Sequence, residues 1–87
     1  MFYHIATDSG AIAPSYTLTE TLHNVIIIDV MGSNAANPTL TIDGTTVSYK
    51  YSGNFGSNIR QGIYIADSLP AGTVIAGRTQ FRAIIAN

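Results

Sequence analysis

The sequence predicts a small all-β domain, either a β-sandwich or a barrel, with a jelly-roll-like arrangement among the options. Three observations predict it. No window of helical length keeps a three-to-four-residue apolar period. β-branched residues gather in short runs, and turn residues recur at roughly the eight-to-twelve-residue spacing of sandwiches and barrels. The chain has 87 residues and no shift in composition along its length, so one domain over 1–87 is expected.

Residues 2–6 form a short apolar and aromatic stretch that reaches a turn cluster at Asp8, Ser9 and Gly10. A second brief run, 11–13, stops at Pro14. Both read as strands or strand-like arms. From Tyr16 to Leu22 the pattern alternates, with Tyr16, Leu18, Glu20 and Leu22 on one face and three threonines on the other. The run 25–31 is rich in β-branched residues and apolar on both faces, as in a central strand covered on both sides. A polar loop is predicted over 32–38.

The sharpest local signal is Asp43-Gly44, which supplies the positive backbone angles of a two-residue type I′ turn. Pairing across it sets Ile42 opposite Thr45, Thr41 opposite Thr46 and Leu40 opposite Val47. Continued alternation places Leu40, Ile42, Val47, Tyr49 and Tyr51 on one apolar face, where core packing is the expected role of both tyrosines. Residues 52–57, with two glycines and Asn54 around Phe55, read as a loop. Strands are then expected over 62–66 and 73–76, with a turn over 67–72 between them. A closing strand over 78–86 would place Phe81, Ala83 and Ile85 together and Gln80, Arg82 and Ile84 opposite.

Charged residues make up 10% of the chain, well below the usual quarter or so, and apolar residues 46%. A domain of this size buries only about 60% of the surface of its extended chain. The usual supports for so small a core are disulfides, a metal or oligomerisation, and the chain has no cysteine. Self-association or docking on a larger body is the remaining support. Lys50, Arg60, Arg78 and Arg82 are the only basic residues and the net charge is −1, which gives no phosphate-tracking patch and argues against a nucleic acid partner. No basic region precedes an apolar stretch near Met1, and the longest apolar run is four residues, so neither an export signal nor a membrane partner is expected.

No catalytic or metal set is predicted, and no cofactor. His4, His23, Asp8 and Asp29 lack any recognised ligand spacing, and no serine sits in a nucleophile elbow. Glu20, Asp29, Asp43 and Asp67 are scattered rather than paired as glycosidase chemistry requires. The chain is expected not to be an enzyme.

The late segment consists of a strand from Ile63, then Ser68-Leu69-Pro70-Ala71-Gly72-Thr73-Val74-Ile75, then a strand ending Ala83-Ile84-Ile85-Ala86-Asn87. It resembles small bacteriophage virion proteins, which are β-rich, often begin with short Thr-rich strands, carry a Pro-Ala-Gly-Thr turn late and end in a small apolar strand. The resemblance covers residues 63–87. It implies a capsid decoration, head-fibre or tail-associated subunit, assembled in the host cytoplasm and residing in the virion, with further copies of itself and other virion proteins as partners. No functional residue is carried over from it. From the pattern alone, Phe2, Tyr3 and Ile5 are the expected contacts of an edge strand that adds to a neighbour. The alternative is a carbohydrate- or receptor-binding module using the 32–38 and 52–57 loops, with Tyr51 or Phe55 stacking on a host-surface glycan or receptor.

Overall fold

The computed structural model describes residues 2–9, 14–32, 37–56 and 58–87, with backbone alone for 7–9 and 55. Nine strands run through them: β1 (Tyr3–Ser9), β2 (Tyr16–Thr17), β3 (Leu22–Met31), β4 (Leu40–Ile42), β5 (Thr45–Val47), β6 (Tyr51–Phe55), β7 (Ile59–Leu69), β8 (Val74–Ala76) and β9 (Phe81–Ala86). They form two antiparallel sheets, ordered β1-β9-β3-β7-β6 and β2-β8-β4-β5. The sheets pack as a β-sandwich, and neither closes into a barrel.

β3 is the middle strand of the larger sheet because its run of isoleucine and valine prefers extended backbone and finds ladder partners on both edges, β7 and β9. Val25 and Ile27 join Ile84 and Ala86 of β9 on the inner face, and Leu40 and Ile75 of the smaller sheet pack against them. That layer is the core. At Asn24, which has a φ of 51°, the alternation of β3 resets and Leu22 and Leu69 also turn inward.

The hairpin has the expected register: Ile42 faces Thr45, Thr41 faces Thr46 and Leu40 faces Val47. Asp43 and Gly44 both take positive φ, 52° and 83°, as the type I′ turn requires. Asp43 also fixes the neighbouring strand, because its Oδ1 accepts a 2.8 Å hydrogen bond from the Val74 amide.

Several expectations are corrected. The alternating run 16–22 is not one strand: β2 ends at Thr17 and residues 19–20 bend, which leaves Glu20 in solvent while Leu18 and Leu22 stay buried. The turn expected at Asp8 and Ser9 is strand, since β1 continues to Ser9. Residues 52–55 are not loop but part of β6, held by the ladder to β7. Tyr51 leaves the core face because the chain crosses from the smaller to the larger sheet between Val47 and Tyr51, and alternation does not carry across a change of sheet. The expected run 11–13 and most of the 32–38 loop, residues 33–36, lie outside the described residues.

Candidate functional site

Three regions concentrate the features that a function needs: a buried polar cluster, a cleft and an apolar sheet face. The cluster begins with Asp29 and Arg82, cross-strand partners on the inner face of β3 and β9. Arg82 Nε donates to Asp29 Oδ1 at 2.6 Å and Nη2 donates to Oδ2 at 2.8 Å, with both side chains closed to solvent. The Tyr49 hydroxyl also donates to Asp29 Oδ2, and Arg82 Nη2 reaches the Thr39 carbonyl at 3.2 Å. Burial, followed by the hydrogen bond to Asp29 and its negative charge, raises the Tyr49 pKa well above the ordinary tyrosine value. Both oxygens of the Asp29 carboxylate accept from guanidinium or phenol donors, and the side chain is closed to solvent. The cluster ties the two sheets together.

The cleft, of about 290 Å³, opens beside β6. Asn37 and Pro38 line it from the segment before β4, Ser52 and Asn54 from β6, and Tyr49 and Gln61 complete it. Its polar groups are neutral amides and hydroxyls. This brings together parts of the two segments expected to be binding loops, 32–38 and 52–57. Of the two aromatics proposed for stacking, Tyr51 points away from it, and Phe55 ends β6 opposite Ile59 with its side chain outside the described residues.

The third region is the outer face of the larger sheet, away from β2, β8, β4 and β5. In an antiparallel ladder, directly paired residues share a face. The pairs Tyr51–Ile63, Ile63–Ile28 and Ile28–Ala83 make one outward row, and Ile65–Ile26 and Ile26–Ile85 make the next. A third row holds Gln61, Val30 and Phe81. Within these rows Tyr51 is 57% exposed, Ile65 44% and Phe81 38%, and among the described residues no strand packs over them. Here β3 departs from expectation. It is central, but among the described residues only its inner face is covered by the second sheet.

No family model matches the chain, and no curated protein matches it. Among solved structures it is similar to the catalytic domain of a GH87 alpha-1,3-glucanase in complex with nigerose, at 14% identity and a TM-score of 0.41, over 93% of this chain and 21% of that one. So slight a likeness carries no function.

Of the residues predicted as contacts, Phe2 and Tyr3 are exposed at the start of β1, at one edge of the larger sheet. Ile5 sits apart from them. The register of β1 against β9 shifts between His4 and Ala6, so Ile5 is a bulge residue, and it packs against the core. Sequence reasoning missed the outer face as a site because it assigned that face a cover. The signal was present in Ile26, Ile28 and Val30 themselves, which have no counterpart layer among the described residues.

Proposed function

We propose that this chain is a non-catalytic structural subunit that works by docking its larger sheet onto a neighbour. The observation that carries the reading is the outward set Ile26, Ile28, Val30, Ile63, Ile65 and Ile85, continuous across three strands and partly open to water. A face of this kind is rare on a free monomer and marks an interaction surface. Its neutrality fits the scarcity of charge in the whole chain. Asp29 and Arg82, the groups best suited to acid and electrostatic work, are buried and paired with each other. The resemblance of residues 63–87 to bacteriophage virion proteins supports a virion as the setting, with the chain decorating or cementing a capsid or forming part of a head or tail appendage. Ile65→Glu tests the reading, because this exposed position accepts a charge without disturbing the core. Virions assembled with the wild-type chain should carry it in many copies, and virions assembled with the variant should lack it, although circular dichroism shows both proteins equally β-rich. Equal incorporation overturns the reading.

A second reading has the cleft as its support: a carbohydrate- or receptor-binding module. Asn37, Ser52, Asn54 and Gln61 offer donors and acceptors without charge, which suits a neutral sugar. A glycan array probed with the wild type and with Asn54→Ala tests it. A glycan bound by the first and lost by the second supports the module, and an array without a hit removes it.

A further inference from the structure

Resting on the docking reading, we infer that the occupant of the outer face is a second copy of this chain, packed sheet against sheet about a two-fold axis that passes near Ile28. The first support is electrostatic. In a two-fold contact each patch meets itself, so any charge on it faces its own sign in a dry interface. The chain has nine charged residues, four basic and five acidic, yet none stands at an outward position over 26–30, 59–65 or 81–85. Of the charged members of those strands, Asp29, Arg60 and Arg82 fall in register on the inner side, opposite one another or opposite buried Met31, and Asp67 lies exposed beyond the last outward row, while Lys50 Nζ sits 6.0 Å from the Tyr51 ring at the rim. The centre of the face, Ile26, Ile28, Val30, Ile63, Ile65 and Ile85, is neutral and compatible with itself, with charge confined to the rim.

The second support is position and size. β3 is the middle strand of five, and Ile28 is the middle of its three outward residues, flanked by Ile63 and Ala83. Two such faces pack at about 10 Å with strands inclined by roughly 30°, the ordinary geometry of aligned sheets. Four strands, β6, β7, β3 and β9, about 4.8 Å apart and three rows about 6.8 Å apart give a footprint of roughly 400 Å² per copy. The pair therefore buries roughly 800 Å², the size of a weak, transient interface. Pairing of that size is reversible and depends on concentration. The competing route, strand addition at β1, meets an obstacle in the bulge at Ile5, which interrupts the ladder of that edge.

Sedimentation velocity over a dilution series of the full chain tests the inference, with Ile28→Asp, Ile65→Asp and Tyr3→Asp beside the wild type and circular dichroism on every sample. The expected result is a wild-type mass that rises from 9.2 kDa towards twice that value with concentration. Ile28→Asp and Ile65→Asp, still β-rich, should raise the dissociation constant by roughly a hundredfold or more, because each dimer would then bury two like charges. Tyr3→Asp should not change it. A dimer broken only by Tyr3→Asp overturns face pairing in favour of the edge. A monomer at every concentration overturns pairing of copies altogether, while incorporation of Ile65→Glu into virions separately decides whether the face docks on another protein. Should Ile28→Asp fail to fold, the more exposed Ile65→Asp probes the same face and decides the matter alone.

Discussion

Asp29 and Arg82 oppose each other across β3 and β9 and share two hydrogen bonds, Nε to Oδ1 at 2.6 Å and Nη2 to Oδ2 at 2.8 Å, with both side chains buried. Removing one partner strands the other as a buried charge, which costs about 3–5 kcal/mol. Small domains have a total stability of about 5–15 kcal/mol, so Asp29→Leu or Arg82→Met alone should leave much of the chain unfolded. The double variant Asp29→Leu with Arg82→Met should recover most of the loss, since apolar residues of similar volume replace a buried pair at little cost. Urea denaturation of the three variants checks this, and a double variant as unstable as the sum of the singles would contradict it.

Tyr49 gives the cluster a pH dependence. Its pKa is raised in the folded chain, by burial first and by the Asp29 carboxylate second, so the fold favours the protonated phenol. Below the ordinary tyrosine value of 10.0 both folded and unfolded chains hold that proton and the full contribution is present. As pH rises past it the unfolded chain releases the proton first, and stability falls. Denaturation midpoints should therefore decline above about pH 10 in the wild type and decline less steeply in Tyr49→Phe. Parallel slopes would show that Tyr49 is not the source. At neutral pH Tyr49→Phe should cost roughly 1.5–3 kcal/mol, the worth of a hydrogen bond to a charged group.

Gly62 holds that phenol in place. A Cβ built on it would come within 2.5 Å of the Tyr49 ring, so the ring rests on bare backbone of β7. Gly62→Ala should displace Tyr49 and destabilise the domain by about 1–3 kcal/mol, as overpacking does. Thermal melting measures the loss. In the background of Tyr49→Ala, where the ring is gone, the same substitution should have little effect.

The parts of this architecture that were legible in the sequence are those fixed by neighbours along the chain. Asp43-Gly44 dictates its own turn, and the turn dictates the register from Leu40 to Val47. The β-branched run of β3 announces a central strand, and the alternation of β9 separates Phe81, Ala83 and Ile85 from Arg82 and Ile84. What stayed hidden depends on distant partners. Ser52, Gly53 and Asn54 have the composition of a loop and become strand because β7 supplies the ladder. Tyr51 reverses its side because the chain changes sheets between Val47 and Tyr51, which no local pattern marks. The ion pair joins residues 53 positions apart, and only the oddity of an aspartate within an isoleucine run hinted that Asp29 required a buried cation. The outer face was legible residue by residue, but its exposure was not, because exposure depends on which distant strands pack over it.

β1 separates contact from stability in a way that substitutions can read. Tyr3 is 61% exposed, whereas Ile5, two residues on, bulges from the ladder and packs against the core. Deleting residues 1–6 therefore removes core packing together with any contact at the edge and cannot distinguish them. Point changes can. Tyr3→Lys should leave the urea midpoint within the roughly 0.5 kcal/mol scatter of surface substitutions. Ile5→Ala should cost about 1–2 kcal/mol, somewhat below the loss at a fully buried isoleucine, because Ile5 is only partly enclosed. Equal effects from the two would mean that the β1 edge is anchored through Tyr3 as well, and that Phe2 and Tyr3 serve the fold rather than a neighbour.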